Sequence, residues 1–483
     1  MENIKQSVFS NIVWRFAERC GAQIVSFIVS IVLARILAPE AYGTIALITV
    51  FINILQVFVD NGLGNALIQK KDADDLDFST VFYANVVICI ALYLIIFLGA
   101  PLIADFYKND SLINLVRVLG LTIVISGIKN VQQAYVSRKL IFKKFFFATL
   151  AGTIGAAVIG IAMALKGFGE WALVAQQLFN LTIDTIVLWI TVKWRPKKMF
   201  SFKRLGEMFS YGWKLLVSAL LDTTYENIRQ LVIGKIYTSS DLAYYNKGKQ
   251  FPSLVVSNIN TSIDSVLLPT MSSEQDNKNR VRDMTRRSIK ISIFIMAPLM
   301  MGLAFTAKNI VTLLLTEKWL ECVPYMCIFC ITFMFYPIHT ANLNAIKAMG
   351  RSDLFLKLEI IKKTIGVILL ICTMKISVMA MAVSLLISGL LGQIINSWPN
   401  KKLLSYSYFE QLKDILPSIL VAVFMGVIVY IIGLSNMPIL LELVLQVITG
   451  VVIYVIGAKT LKIDSLEYLL GVLKKFINKK AKE

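Results

Sequence analysis

The sequence has 483 residues, 57% of them hydrophobic and only 16% charged, with a mean hydropathy of +0.70 and a formal net charge of +19. Soluble globular chains run nearer half apolar and about a quarter charged. Here the apolar residues come in runs of about twenty, the length a helix needs to cross hydrocarbon, so a soluble fold is excluded. A nucleic-acid reading of the charge falls with it, because the positive residues lie mostly between the apolar runs, where they set topology.

In chain order the runs fall at 10–36, 41–64, 79–104, 112–134, 145–165, 169–192, 210–234, 241–270, 288–314, 322–345, 355–375, 377–398, 413–433 and 437–458. They read as about fourteen membrane-spanning helices of an all-α polytopic membrane protein. The first, seventh and eighth are less apolar than the rest. The N-terminal stretch has charges within its apolar run and no small-residue cleavage pattern, so it reads as a first helix that is retained.

The loops alternate in charge. Lys70 and Lys71, then Arg138 to Lys144, Lys193 to Arg204, Lys278 to Lys290, Lys347 to Lys357, Lys401 to Lys413 and the lysines after Lys459 all fall on one side. The opposite side carries few: Lys108, Lys166, Lys235, Lys318 and Lys375. Positive loops are retained in the cytoplasm. The expectation is therefore a bacterial cytoplasmic (inner) membrane protein with an even span count and both termini cytoplasmic. No loop is long enough for an extramembrane domain. The tail SLEYLLGVLKKFINKKAKE reads as a basic amphipathic helix on anionic lipid.

The chain also resembles itself. ARILAPEAYG at 34–43 joins the first and second runs, and GKIYTSSDLAYYN at 234–246 joins the seventh and eighth. AYVSRK at 134–139 and AIKAMGR at 345–351 follow the fourth and tenth. The order of these anchors implies two six-helix lobes, 1–200 and 201–400, related by an axis along the membrane normal. Two further helices at 401–458 and a basic cytoplasmic tail at 459–483 lie outside the repeat.

Charges within spans cost several kcal/mol, roughly 2.5–3.5 each at the bilayer centre, and face water or a partner. They concentrate in the helices that open each lobe. Arg15, Glu18 and Arg19 lie in the first run and Asp60 ends the second. Lys214, Asp222, Glu226 and Arg229 lie in the seventh. Lys247, Lys249 and Asp264 lie in the eighth, beside Asn258 and Asn260. Asp222, Glu226 and Arg229, spaced by four and three, form one stripe. Some of the basic residues near the ends would snorkel to headgroups. The stripe implies a wet cavity that leans basic, suited to a phosphate-bearing ligand. Its acids, Glu18, Asp60, Asp222, Glu226 and Asp264, would pair charge or carry a proton or sodium ion.

Weaker signals attract plainer readings. His339 is a helix-packing residue or a proton relay. Arg117, Lys129, Asp184 and Glu359 look isolated. Pro252, Pro269, Pro298, Pro324 and Pro337 permit bending. Cys327 and Cys330 form a CxxC inside an apolar run with no His or acid beside it, which argues for packing and against a metal. No P-loop, HExxH or acidic metal motif is present, so no cofactor is implied and an ATP-driven pump is disfavoured.

The segments WRFAERCGAQIVSFIVSIVLARILAPEAYGTIAL, DNGLGNALIQKKD, FSYGWKLLVSALLDTTYENIRQLVIGKI and YYNKGKQFPSLVVSNINTSIDSVLLPTMS carry a family resemblance. The chain resembles Wzx-type polysaccharide flippases of the multidrug/oligosaccharidyl-lipid/polysaccharide exporter superfamily, in the branch of colanic acid and teichuronic acid exporters. The likeness covers about residues 1–400 well, and the LARILAPEAYG block is its most specific part. It implies a MATE-like fold opening alternately to each side. It implies a substrate of undecaprenyl pyrophosphate bearing an oligosaccharide, moved to the outer leaflet and coupled to a cation gradient. A polysaccharide polymerase and a chain-length regulator are the implied partners. By the same resemblance Arg15, Arg19, Lys214, Arg229, Lys247 and Lys249 would hold pyrophosphate. A multidrug–cation antiporter of the same fold is the rival, disfavoured by the basic lean. A membrane glycosyltransferase or polymerase would need a large periplasmic loop, which the sequence lacks.

Overall fold

Long apolar runs punctuated by capping and turn residues give a chain of helices, with no strand among the described residues. The structure, a computed structural model, describes residues 21–60, 63–139, 141–435 and 437–480. By Cα proximity the chain divides into two compact units between Ala243 and Tyr244.

The first unit holds α1 (Gly21–Ile36), α2 (Pro39–Asp60), α3 (Leu63–Gln69), α4 (Asp75–Tyr107), α5 (Leu112–Leu119), α6 (Leu121–Lys139), α7 (Lys143–Leu165), α8 (Glu170–Thr191) and α9 (Phe202–Ile236). Helix α10 (Ser239–Ser273) begins in it and runs into the second unit. There follow α11 (Lys278–Phe305), α12 (Ala307–Leu315), a 3₁₀ turn (Glu317–Cys322), α13 (Val323–Met334), α14 (Tyr336–Ala348), α15 (Ser352–Thr373), α16 (Val378–Leu403), α17 (Tyr408–Ile432), α18 (Ile439–Thr460) and α19 (Asp464–Lys480).

Among the described residues, ten helical passages are long and apolar enough to cross a membrane. The chain is a multi-pass membrane protein. The other four expected spans are also helical: α1, α9, α10 and α15. Helices α9 and α10 fall short because polar residues, many of them uncharged Ser, Thr, Asn and Gln, interrupt their apolar runs, and α15 through charge, carrying Asp353, Lys357, Glu359, Lys362 and Lys363. The described part of α1 is short.

Local chemistry fixes the helix starts. Asp74 and Asp77 close a capping box on α4, with N–H to carboxylate distances of 3.0 and 3.2 Å. Ser407 and Glu410 do the same on α17, and Thr238 and Asp241 exchange equivalent bonds ahead of α10. Each box satisfies N–H groups that have no partner within the helix. Pro324 and Pro337 occupy the first turns of α13 and α14, where a missing N–H costs nothing. Pro252, Pro269 and Pro298 sit inside continuous helices.

Small side chains bring α7 onto α8. Ala148, Gly152, Ala156, Gly160 and Ala164, four residues apart, are all buried. A Cβ at Gly152 would stand 2.7 Å from the Asn180 carbonyl oxygen, the close approach that small-residue stripes permit in membranes. At one end of this unit Trp194 packs on Phe78, ring centroids 5.5 Å apart. Its indole N–H donates to Asp75 at 3.2 Å.

The two related turns of the sequence repeat meet. A Cβ on Gly43 would overlap the Ser239 backbone, so only glycine fits there. The Ser240 hydroxyl donates to Glu40 at 2.7 Å.

Candidate functional site: polar faces on long helices

Helices α9 and α10 have 35 residues each. At about 1.5 Å per residue each is longer than the roughly 30 Å hydrocarbon layer. On α9, Ser210, Lys214, Ser218, Asp222 and Glu226 follow one another at intervals of four, and every one is exposed. If α9 crosses the membrane, as its sequence position leads one to expect, this exposed charge needs water, because lipid offers no partner.

Arg229 behaves differently. It is only 5% exposed, and its Nε and Nη2 are buried without a hydrogen-bond partner. The stripe expected from Asp222, Glu226 and Arg229 therefore divides: two acids open to solvent and one guanidinium sealed in. Beside it Asn227 is buried and donates to the Thr223 carbonyl at 2.8 Å. Helix α9 packs on α2, α3 and α4. Arg15, Glu18 and Arg19 lie outside the described residues.

On α10 the exposed polar face is uncharged for two turns. Thr261 bonds back to Ser257, and Ser262 to Asn258, at 2.7 and 2.8 Å. Asn258 is exposed and donates to the Leu254 carbonyl. Asn260 turns inward and its Oδ1 is buried without a partner. Asp264 accepts from Asn344 at 2.8 Å, joining α10 to α14.

Lys247 of α10 is engaged within the second unit. Lys247 is 5% exposed, donates to Gln250 at 3.1 Å, and lies 5.5 Å from the Trp319 ring centroid. That contact is a cation–π interaction. It serves the packing of α10 rather than an open face. Lys249 is half-buried.

Sequence spacing missed the partners of the apparently isolated charges. Lys129 of α6 and Asp184 of α8 form an ion pair at 2.6 Å, with side chains 14% and 11% exposed. Asp184 Oδ1 remains buried and unpartnered. Asp60, exposed at the end of α2 and bonded to Gln56 at 3.2 Å, lies within electrostatic range of Lys129. Glu359 pairs with Lys362 at 2.5 Å, one helical turn away. Arg117 donates to the Phe97 carbonyl and stacks over its ring at 4.5 Å. His339 meets Asn396 at 3.0 Å, the packing bond between α14 and α16.

A cavity of about 430 Å³ opens among α10, α11, α17 and α18. Val255, Pro298, Leu303, Met425, Val447 and Val451 are among its walls, which are almost wholly apolar. Such a volume accepts a hydrocarbon segment and offers nothing to a charged group.

The family described as polysaccharide biosynthesis protein matches residues 32–324. The teichuronic acid biosynthesis protein TuaB of Bacillus subtilis is 24% identical over 385 residues, covering 79% of this chain and 80% of that one. The succinoglycan biosynthesis transport protein ExoT of Rhizobium meliloti is 24% identical over 314 residues, 65% of this chain and 64% of its own. Among solved structures, the lipid II flippase MurJ in an inward closed conformation superposes with a TM-score of 0.74 at 17% identity. It covers 94% of this chain and 99% of that one. At that identity the superposition establishes a shared fold and no more.

Proposed function

The chain belongs to the polysaccharide biosynthesis protein family, and from that premise we propose that it is a flippase for polyprenyl-pyrophosphate-linked oligosaccharide. Transport is the coarse role to which the family and its named relatives point. The lipid-linked substrate, the cation coupling and the inner-membrane orientation are our reading. The observation that carries it is the α9 face: an exposed polar ridge beside Arg229, a buried guanidinium with unspent N–H donors.

A guanidinium forks onto phosphate oxygens bidentately. In this reading Arg229 takes the pyrophosphate, while Lys214, about 22 Å away along α9, draws the anionic headgroup towards it; Arg15 and Arg19 of the N-terminal segment are the further candidates. The hydroxyls and amides of α10 from Ser257 to Ser265 offer hydrogen bonds to sugar. The apolar cavity beside α17 and α18 receives part of the polyprenyl chain, while headgroup and sugar stay in water. Lys247 is left to structure. No bond is made or broken in such a cycle, and a cation gradient drives it through the acids Asp60, Asp222, Glu226 or Asp264. Both termini are cytoplasmic, and a polysaccharide polymerase with its chain-length regulator consumes the product.

A multidrug–cation antiporter is the second reading, favoured by the exposure of Asp222 and Glu226. A deletion strain separates the two. The flippase reading expects loss of surface polysaccharide and build-up of lipid-linked units on the cytoplasmic face. Unchanged polysaccharide with raised drug sensitivity would sink it.

A further inference from the structure

Helix α19 docks on the cytoplasmic-side end of α11 through two contacts. Lys290 Nζ bonds Asp464 at 2.6 Å, and the Arg287 guanidinium carbon stands 3.7 Å from the Tyr468 ring centroid. Between these helices lies a cleft of about 460 Å³ lined by Asp283, Arg286, Arg287, Lys290, Asp464 and Tyr468. A second cavity of about 350 Å³ shares Arg286, Lys290 and Asp464 and adds Lys413 and Lys462.

The charges do not cancel. Arg286 is spent on Asp414 in a two-pronged bond, both arms 2.7 Å. Lys290 is spent on Asp464, and its hydrogen bond holds that carboxyl below the ordinary aspartate value. Glu410 faces Arg282 at 3.4 Å. Among the described residues, Arg287, Lys413 and Lys462 line the two cavities with no carboxylate bonded to them, and of the lining acids Asp414, Asp464 and Glu410 are paired, which leaves Asp283. Stacking on Tyr468 uses the face of the Arg287 guanidinium and leaves its N–H edge to fork onto an oxyanion.

We propose that these two adjoining cavities together bind the phosphodiester headgroup of an anionic phospholipid. Free phosphate shares that chemistry, but the surroundings favour lipid. Helix α19 follows the end of the spanning helix α18 by three residues, which sets the cleft at headgroup level. Leu461 and Leu470, 56% and 48% exposed, offer apolar surface nearby for acyl chains. Basic clefts at the cytoplasmic interface suit such lipids, and α19 becomes a helix clamped by lipid as well as by Lys290. The site does not depend on the transport reading.

Native mass spectrometry of the full chain in neutral detergent, with thermal unfolding alongside, tests it. Added phosphatidylglycerol should remain bound and raise Tm, and phosphatidylcholine should do neither. Arg287→Gln combined with Lys413→Gln should weaken retention about ten-fold, a change of about 1.4 kcal/mol. If that variant does not fold, Tyr468→Leu carries the test, with an expected loss of about three-fold from removing the stacking platform alone. Equal retention of the two lipids, or unchanged retention in the variants, overturns the proposal. So does an equal Tm rise with millimolar inorganic phosphate, which would make this a free-anion site.

Discussion

Arg229 is the residue whose surroundings ask most of a ligand. A buried guanidinium without acceptors forgoes hydrogen bonds worth roughly 1.5–3 kcal/mol each when made to a charged partner, and an incoming oxyanion would supply them. Arg229→Ala is expected to lower polysaccharide export at least ten-fold in a complementation assay at unchanged protein level. Arg229→Lys should restore part of it, because charge returns but the fork does not. Full export in the alanine variant would remove Arg229 from the pathway. Lys129 and Asp184 pose the opposite case, two charges that already face each other, although Asp184 Oδ1 is left without a partner. Removing one partner of a buried pair costs about 3–5 kcal/mol, whereas replacing both with apolar groups is often neutral. Lys129→Ala should therefore lower Tm sharply, and Lys129→Met with Asp184→Leu should recover most of the loss. If the double variant is no more stable than the single, the pair is not what holds α6 to α8.

Among elements, the legible part of the fold was whatever is local along the chain. Within the described residues each apolar run is helical, and the reciprocal boxes at Asp74–Asp77, Thr238–Asp241 and Ser407–Glu410 explain where three helices start. The interruptions at Gly120, Thr306 and Phe335 were not legible. A break inside a continuous apolar run leaves hydropathy unchanged. Nor could spacing tell that Arg229 turns inward while Asp222 and Glu226 stay open, because a helical period orders residues around an axis without saying which side is covered. Lys129 and Asp184, 55 residues apart, carry no local sign of each other. The stripe from Ala148 to Ala164 was readable from its four-residue spacing and went unread. It makes a sharp stability prediction. Gly152→Ala places a Cβ 2.7 Å from a backbone oxygen, and such overpacking costs about 1–3 kcal/mol. Gly99→Ala on α4 meets nothing within 4 Å and should gain up to about 1 kcal/mol of helix propensity. Thermal unfolding in detergent should lower Tm for the first and hold or raise it for the second. Equal behaviour would mean that α7 and α8 do not meet as closely as the structure has them.

At the scale of the whole molecule, the excess positive charge is organised rather than spread. The basic loops of one side bring acids with them: Lys197 and Arg204 bond the Asp74–Asp77 cluster, and Arg286 and Lys290 bond Asp414 and Asp464. These ion pairs tie neighbouring helix ends together on the side we assign to the cytoplasm, while the opposite turns, around Lys108, Lys166 and Lys375, are short and poor in positive charge. The bias in Lys and Arg, not net charge, orients a membrane chain, so pairing with acids does not weaken the argument. A fluorescent protein fused after the last residue should fluoresce, as folding in the cytoplasm allows. Alkaline phosphatase, active only outside, should work when inserted at the Lys166–Gly167 turn and fail between Ser273 and Lys278. The inverse pattern would turn the chain over, and export from the cytoplasmic leaflet would then require the α9 face to load from the wrong side. Replacing Lys143, Lys144, Arg138 and Lys139 together by Gln probes the cause. If loop charge sets orientation, part of the population should mix its topology near α6 and α7. An unchanged reporter pattern would show that the remaining basic loops suffice to orient the chain.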